Sequence, residues 1–102
     1  MITILKGVLF MKSFKLNERD KVINEIGGIQ YTAYKMNLNC VIMVRKDIFD
    51  MVNVYYSMFS DYADAEIFVK HYDEKFKKIG MPYVIYFNDA IYTNEQSFDW
   101  ED

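Results

Sequence analysis

A chain of 102 residues that is 52% hydrophobic and 18% aromatic, with four glycines and one proline, has enough apolar side chains for one packed core and too many for intrinsic disorder. No linker separates its halves, which excludes a second domain, since that would need roughly 50 residues of its own. The formal charge of −3 is unevenly spread: residues 1–46 carry eight Lys/Arg against three Asp/Glu, and residues 47–102 carry four against twelve.

The acidic part also holds fourteen of the eighteen aromatic residues, and the stretch from Asp89 to Asp102 has five acids and no base. The single cysteine, Cys40, excludes an intramolecular disulfide and suits a reducing compartment. Residues 1–11 are apolar but broken by Lys6 and Gly7, too short to span a bilayer and without the pattern of a secretory signal. A soluble cytoplasmic protein is therefore expected. Heavy use of Ile, Lys, Asn, Tyr and Asp is associated with AT-rich genomes, phages of low-GC bacteria among them.

In chain order, residues 2–14 alternate as a first strand, with a bulge or bend at Gly7. A short helix follows, with Asn17 placed to cap it, Val22, Ile23 and Ile26 as its apolar stripe, and Gly27-Gly28 as its stop. Residues 29–36 and 40–46 read as two strands of a hairpin around Asn37-Leu38-Asn39. Residues 47–59 fit both a two-residue and a 3.6-residue period, and their β-branched and aromatic content favours a strand.

A second helix starts at Ser60 or Asp61. Tyr62, Ala65, Phe68, Val69, Tyr72, Phe76 and Ile79 line one face, and Gly80 before Pro82 ends it. Its outer face sets Glu66, Asp73 and Glu74 four residues before Lys70, Lys77 and Lys78. Tyr83–Phe87 and Ala90–Thr93 make a final hairpin around Asn88-Asp89. The order β-α-β-β-(β)-α-β-β predicts an α+β fold, a mainly antiparallel sheet with two helices on one face, as in a ferredoxin-like (split βαβ) variant. Residues 1–93 form the domain and 94–102 an acidic aromatic tail.

The sequence holds no Gly-rich phosphate loop, dinucleotide fingerprint, zinc motif or nucleophile elbow, so no catalytic site, cofactor or metal centre is expected. His71, the one residue titrating near neutrality, falls beside the apolar stripe of the second helix, and nothing in the spacing brings Cys40 to it. Asp61, Asp64 and Glu66 suit the first turn of a helix, where acids complement the exposed amides, better than they suit a metal lacking further ligands. Scattered bases with two arginines and a net negative charge make direct nucleic-acid binding a poor fit.

A protein-binding surface remains. Asp61, Tyr62, Asp64 and Glu66 at the second helix, Asp89 and Tyr92 in the last hairpin, and Glu95, Phe98, Asp99, Trp100, Glu101 and Asp102 in the tail combine carboxylates with anchoring aromatics. That pattern attracts a basic partner such as a nuclease or another nucleic-acid-binding protein. The expected function is a small non-enzymatic inhibitor, of the class that includes phage anti-defence (anti-CRISPR-like) and immunity proteins. A homodimeric assembly module is the first alternative.

Overall fold

The computed structural model describes residues 9–94, and the statements below concern those residues. The elements are β1 (Phe10–Lys15), α1 (Arg19–Met36), β2 (Asn39–Lys46), β3 (Met51–Phe59), α2 (Tyr62–Ile79), β4 (Tyr83–Phe87) and β5 (Ala90–Thr93). Five strands form one antiparallel sheet in the order β1-β3-β2-β4-β5. The second helix and the final hairpin agree with the expectation from sequence, and of the strand expected over 47–59, residues 51–59 are extended while 47–50 form a loop. The strand expected from residue 2 onward is described only from Phe10.

The first helix departs from it. It runs straight through Gly27-Gly28 to Met36, so residues 29–36 are helical and the expected hairpin around Asn37-Leu38-Asn39 does not exist. Burial explains the outcome: Val22, Ile29 and Ala33 lie on one helical face against the sheet, and a glycine costs a packed helix only about 1 kcal/mol. The left-handed conformation expected near Asn37 is present (φ 54°), but it ends the helix, with the Asn37 amide donating to the Tyr34 carbonyl at 3.1 Å. At the other end Glu18, not Asn17, occupies the cap position. Its carboxylate accepts from the Lys15 amide (2.6 Å) and the Lys21 ammonium (2.8 Å).

The topology fixes where the helices go. β1 and β2 each run antiparallel to β3, so they are parallel to one another with β3 between them; by the same logic β3 and β4 are parallel, separated by β2. Both crossovers step the same way across the sheet but start from strands pointing in opposite directions. Right-handed connections then require α1 and α2 on opposite faces.

Two separate buried clusters confirm it. Val41, Met43, Phe59, Tyr83, Ile85 and Phe87 pack with Ala65, Phe68, Val69 and Phe76 of α2. Cys40, Ile42, Val44, Val52 and Val54 pack with Val22, Ile29 and Ala33 of α1. The single-face, ferredoxin-like placement is therefore corrected, because it would need crossovers stepping in opposite directions. The five consecutive buried residues Cys40–Val44 are the local sign of a central strand covered on both sides.

Candidate interaction site

Strand direction sorts the connections into two ends. At one lie the β3–α2 junction, the C-terminus of α1 and the β4–β5 turn; at the other lie the β1–α1 and α2–β4 junctions and the β2–β3 loop. Asp61, Asp64, Glu66 and Asp89 belong to the first end, with Lys35 the base of the last turn of α1, while the second carries both signs, Lys15, Arg19, Lys46, Lys77 and Lys78 beside Glu18, Asp20, Asp47, Asp50, Asp73 and Glu74.

At the acidic end Asp61 is the N-cap of α2, with extended backbone and its carboxylate accepting from the Ala63 amide at 2.8 Å. Tyr62 follows, 54% exposed, with its ring centroid 5.1 Å from that of Phe87 at the end of β4. This contact seats the start of α2 beside the turn in which Asn88 adopts φ 52° and Asp89 is exposed. Asp64 and Glu66, both half-buried, continue along the first turns of the helix. Asp61 and Tyr62 thus share this end of the fold with Asp89.

Tyr92 is not part of that surface. It pairs across from Ile85 and packs partly buried on the α2-side cluster. Glu95, Phe98, Asp99, Trp100, Glu101 and Asp102 lie outside the described residues.

Tyr34, 81% exposed near the end of α1, joins the acidic end instead, lining a groove of about 520 Å³ with Ala33, Leu38, Ile42, Tyr86 and Asp89. Reading this segment as a strand hid it. Cys40 also borders the groove, and burial pushes its thiol up to about 11, so it is a neutral packing group at physiological pH.

The opposite end is built around Asp47. Its Oδ1 accepts from the amides of Phe49 (2.8 Å) and Met51 (3.0 Å), and its Oδ2 accepts from Asn53 Nδ2 (3.1 Å). Asn53 Oδ1 in turn accepts from the Ser13 hydroxyl at 2.6 Å, tying the loop to β1. Burial alone would raise the Asp47 carboxyl, but the hydrogen bonds from Asn53, Met51 and Phe49, with Arg45 nearby, outweigh it and hold the group below its ordinary value. Asp50, at φ 59°, closes the loop and meets Lys46 at 3.2 Å. Two large apolar residues stand at the tip, Ile48 78% exposed and Phe49 77% exposed. The sequence signal for this feature is an apolar pair between two aspartates at a strand junction.

His71 is exposed on α2 and meets Tyr72 edge-on at 5.0 Å. It is separated from Cys40 by the sheet, since the cysteine packs on the α1 side, so the two form no nucleophile pair. Among the described residues no three His, Cys, Asp or Glu side chains are grouped to hold a metal ion, and no helix is long and apolar enough to cross a membrane. Comparison with known protein families, curated proteins and solved structures finds no match to this chain.

Proposed function

We propose that the protein is a small non-enzymatic inhibitor whose acidic end binds a basic, nucleic-acid-handling enzyme and competes with phosphate for its substrate site. The reading rests above all on the Tyr62–Phe87 contact, which joins the start of α2 to the strand leading into the β4–β5 turn, so that the acids of both elements belong to one end of the fold. Separately these acids have ordinary structural roles. Together, flanked by the exposed rings of Tyr34 and Tyr62, they combine steering charge with aromatic contact area. Phage anti-defence and immunity-type proteins work in this manner, and the cytoplasm, of the host if the chain is phage-encoded, is the proposed compartment. A single buried thiol suits that environment.

Affinity capture from the native host, followed by mass spectrometry, tests the proposal. The expected catch is a basic nuclease or other nucleic-acid-binding protein, released by salt and lost with Asp64→Lys, Glu66→Lys and Asp89→Lys combined. Asp61 is left in place because reversing it would also uncap α2. Capture indifferent to both salt and charge reversal would refute the reading, as would a captured enzyme whose nucleic-acid binding is unchanged.

A further inference from the structure

The outer face of α1 is not accounted for by the fold. Between Lys21 and Lys35 every exposed residue of this helix is uncharged, whereas α2 exposes Lys70, Glu74, Lys75, Lys77 and Lys78. A surface helix ordinarily turns charged residues to water. Gly27 and Gly28 also lie on this face, and glycine disfavours a helix interior more than any residue except proline. Nothing within the chain requires them, since no atom lies within 4 Å of a Cβ built on either. A bare backbone in the middle of an uncharged helix face suits the close approach of another helix, because the side chains at the contact set the separation of packed helices.

The placement of the flanking charges identifies that helix. At about 100° per residue, Asp20, Asn24, Gly27, Gly28, Tyr31 and Lys35 all project within roughly 60° of the direction opposite the buried stripe of Val22, Ile29 and Ala33. Their positions are symmetric about the midpoint between the glycines, Asn24 matching Tyr31 and Asp20 matching Lys35. A two-fold axis through that midpoint lays α1 antiparallel on α1 of a second copy and sets Asp20 of each against Lys35 of the other. Both charges are exposed, roughly 11 Å from the centre of the face. Among the described residues neither is in an ion pair. Lys21, next to Asp20, is held by Glu18 at 2.8 Å, and the Lys35 ammonium rests over the Tyr31 ring, 5.8 Å from its centroid.

We infer that the protein associates with a second copy of itself through this face, as a symmetric, antiparallel α1–α1 dimer. Among the described residues α1 is the only helix on its side of the sheet, and α2 with its acidic first turn stays uncovered on the other. The inference is therefore independent of the inhibitor reading. A contact of one helix from each copy falls at the small end of protein interfaces, which makes the dimer weak and reversible.

Sedimentation velocity between roughly 10 µM and 1 mM tests the inference. The weight-average mass of the native chain rises with concentration to that of a dimer and no further. Asp20→Lys and Lys35→Asp each set like charges against one another at both contacts, and each raises the dissociation constant by at least about tenfold while keeping the native circular dichroism. Mixed in equal amounts, these two variants form a one-to-one dimer of native strength, because both contacts again join opposite charges. Gly27→Gln with Gly28→Gln fills the centre of the face and gives a monomer of raised Tm, which separates lost docking from lost folding. The inference is overturned if the native chain stays monomeric at about 1 mM or grows past a dimer. It is equally overturned if either single reversal dimerises as the native chain does, if their mixture stays monomeric, or if the chain substituted at both glycines still dimerises. A monomeric native chain whose captured enzyme is lost on substituting the glycines also overturns it, since α1 would then dock on that enzyme. A dimer that captures no basic enzyme refutes the inhibitor reading alone, and a monomer that captures one refutes this inference alone.

Discussion

Helices α1 and α2 have eighteen residues each, but α2 carries its own start and stop signals while α1 depends on the sheet beneath it. Asp61 caps α2, Gly80 at φ 82° ends it with its amide on the Phe76 carbonyl, and Lys77 and Lys78 pair with Asp73 (3.2 Å) and Glu74 (3.6 Å) in its last turns. In α1 the cap residue's side chain accepts from no backbone amide of the helix, two glycines sit mid-helix, and the Thr32 hydroxyl donates back to the Gly28 carbonyl at 3.0 Å. The packed faces differ too. α2 buries rings, with Phe68, Tyr72, Phe76 and Tyr83 in a run of neighbours 4.8 to 5.6 Å apart, whereas α1 buries Val22, Ile29 and Ala33. A helix of weak local preference can therefore be as long as a strong one when the sheet offers it an apolar face.

The largest test of this contrast removes the centre of the ring series. Phe76→Ala, which deletes contacts to Tyr72, Tyr83 and the Arg45 guanidinium over the ring at 5.0 Å, is expected to cost about 3–5 kcal/mol in urea unfolding. Next in size is a gain. No atom lies within 4 Å of where a Cβ would stand on Gly27 or Gly28, so Gly27→Ala with Gly28→Ala stabilises the protein by about 1–2 kcal/mol, and a loss of stability would mean the pair serves packing.

Asp61→Ala is expected to lower stability by about 1 kcal/mol and to speed amide exchange at Ala63, while Asn17→Ala at the start of α1 changes neither stability nor exchange appreciably. The smallest effect is with pH. Burial raises the acid group on each face, Cys40 under α1 to about 11 and Tyr83 under α2 further still, the latter also through its hydrogen bond to Asp73 at 2.5 Å. A raised folded value means the folded chain keeps a proton that the unfolded chain releases, so stability is complete below pH 9 and falls as pH rises above it. The tyrosine adds its share only above pH 10. Hydrogen exchange should show the α1 face loosening first.

The same contrast explains what the sequence made legible. Residues 62–79 showed a cap, an apolar stripe and a terminal glycine that agree, so the element and its ends were readable from the letters. Gly27-Gly28 looked like a stop, because a glycine pair ends a helix wherever no sheet supports the next turns. The β-branched and aromatic residues from Ile29 onward then resembled a strand. Taken as a strand, that segment gives no sign of Tyr34 on a helix end beside the groove. The opposite faces of the two helices were open to inference from Cys40–Val44, where five apolar residues in a row leave no solvent side. Charge and aromatic content pick out Asp61, Tyr62 and Asp89, but their place at one end of the fold depends on strand order. The strand pattern of 47–59 absorbs Ile48 and Phe49, so it gives no sign of their exposure.

The threading of β3 between β1 and β2 has a consequence for how the chain is made. As the protein leaves the ribosome, β1 and β2 emerge first, and they are not neighbours, so the described chain up to Lys46 contains no two strands that can hydrogen-bond to one another. The first pairing becomes possible only when β3 appears and fills the gap, joining both earlier strands at once. β4 and β5 then add in order to the free side of β2. A nascent chain stalled before Met51 should stay unfolded and open to proteases, and one released past Phe59 should show its first protected amides in β2 and β3.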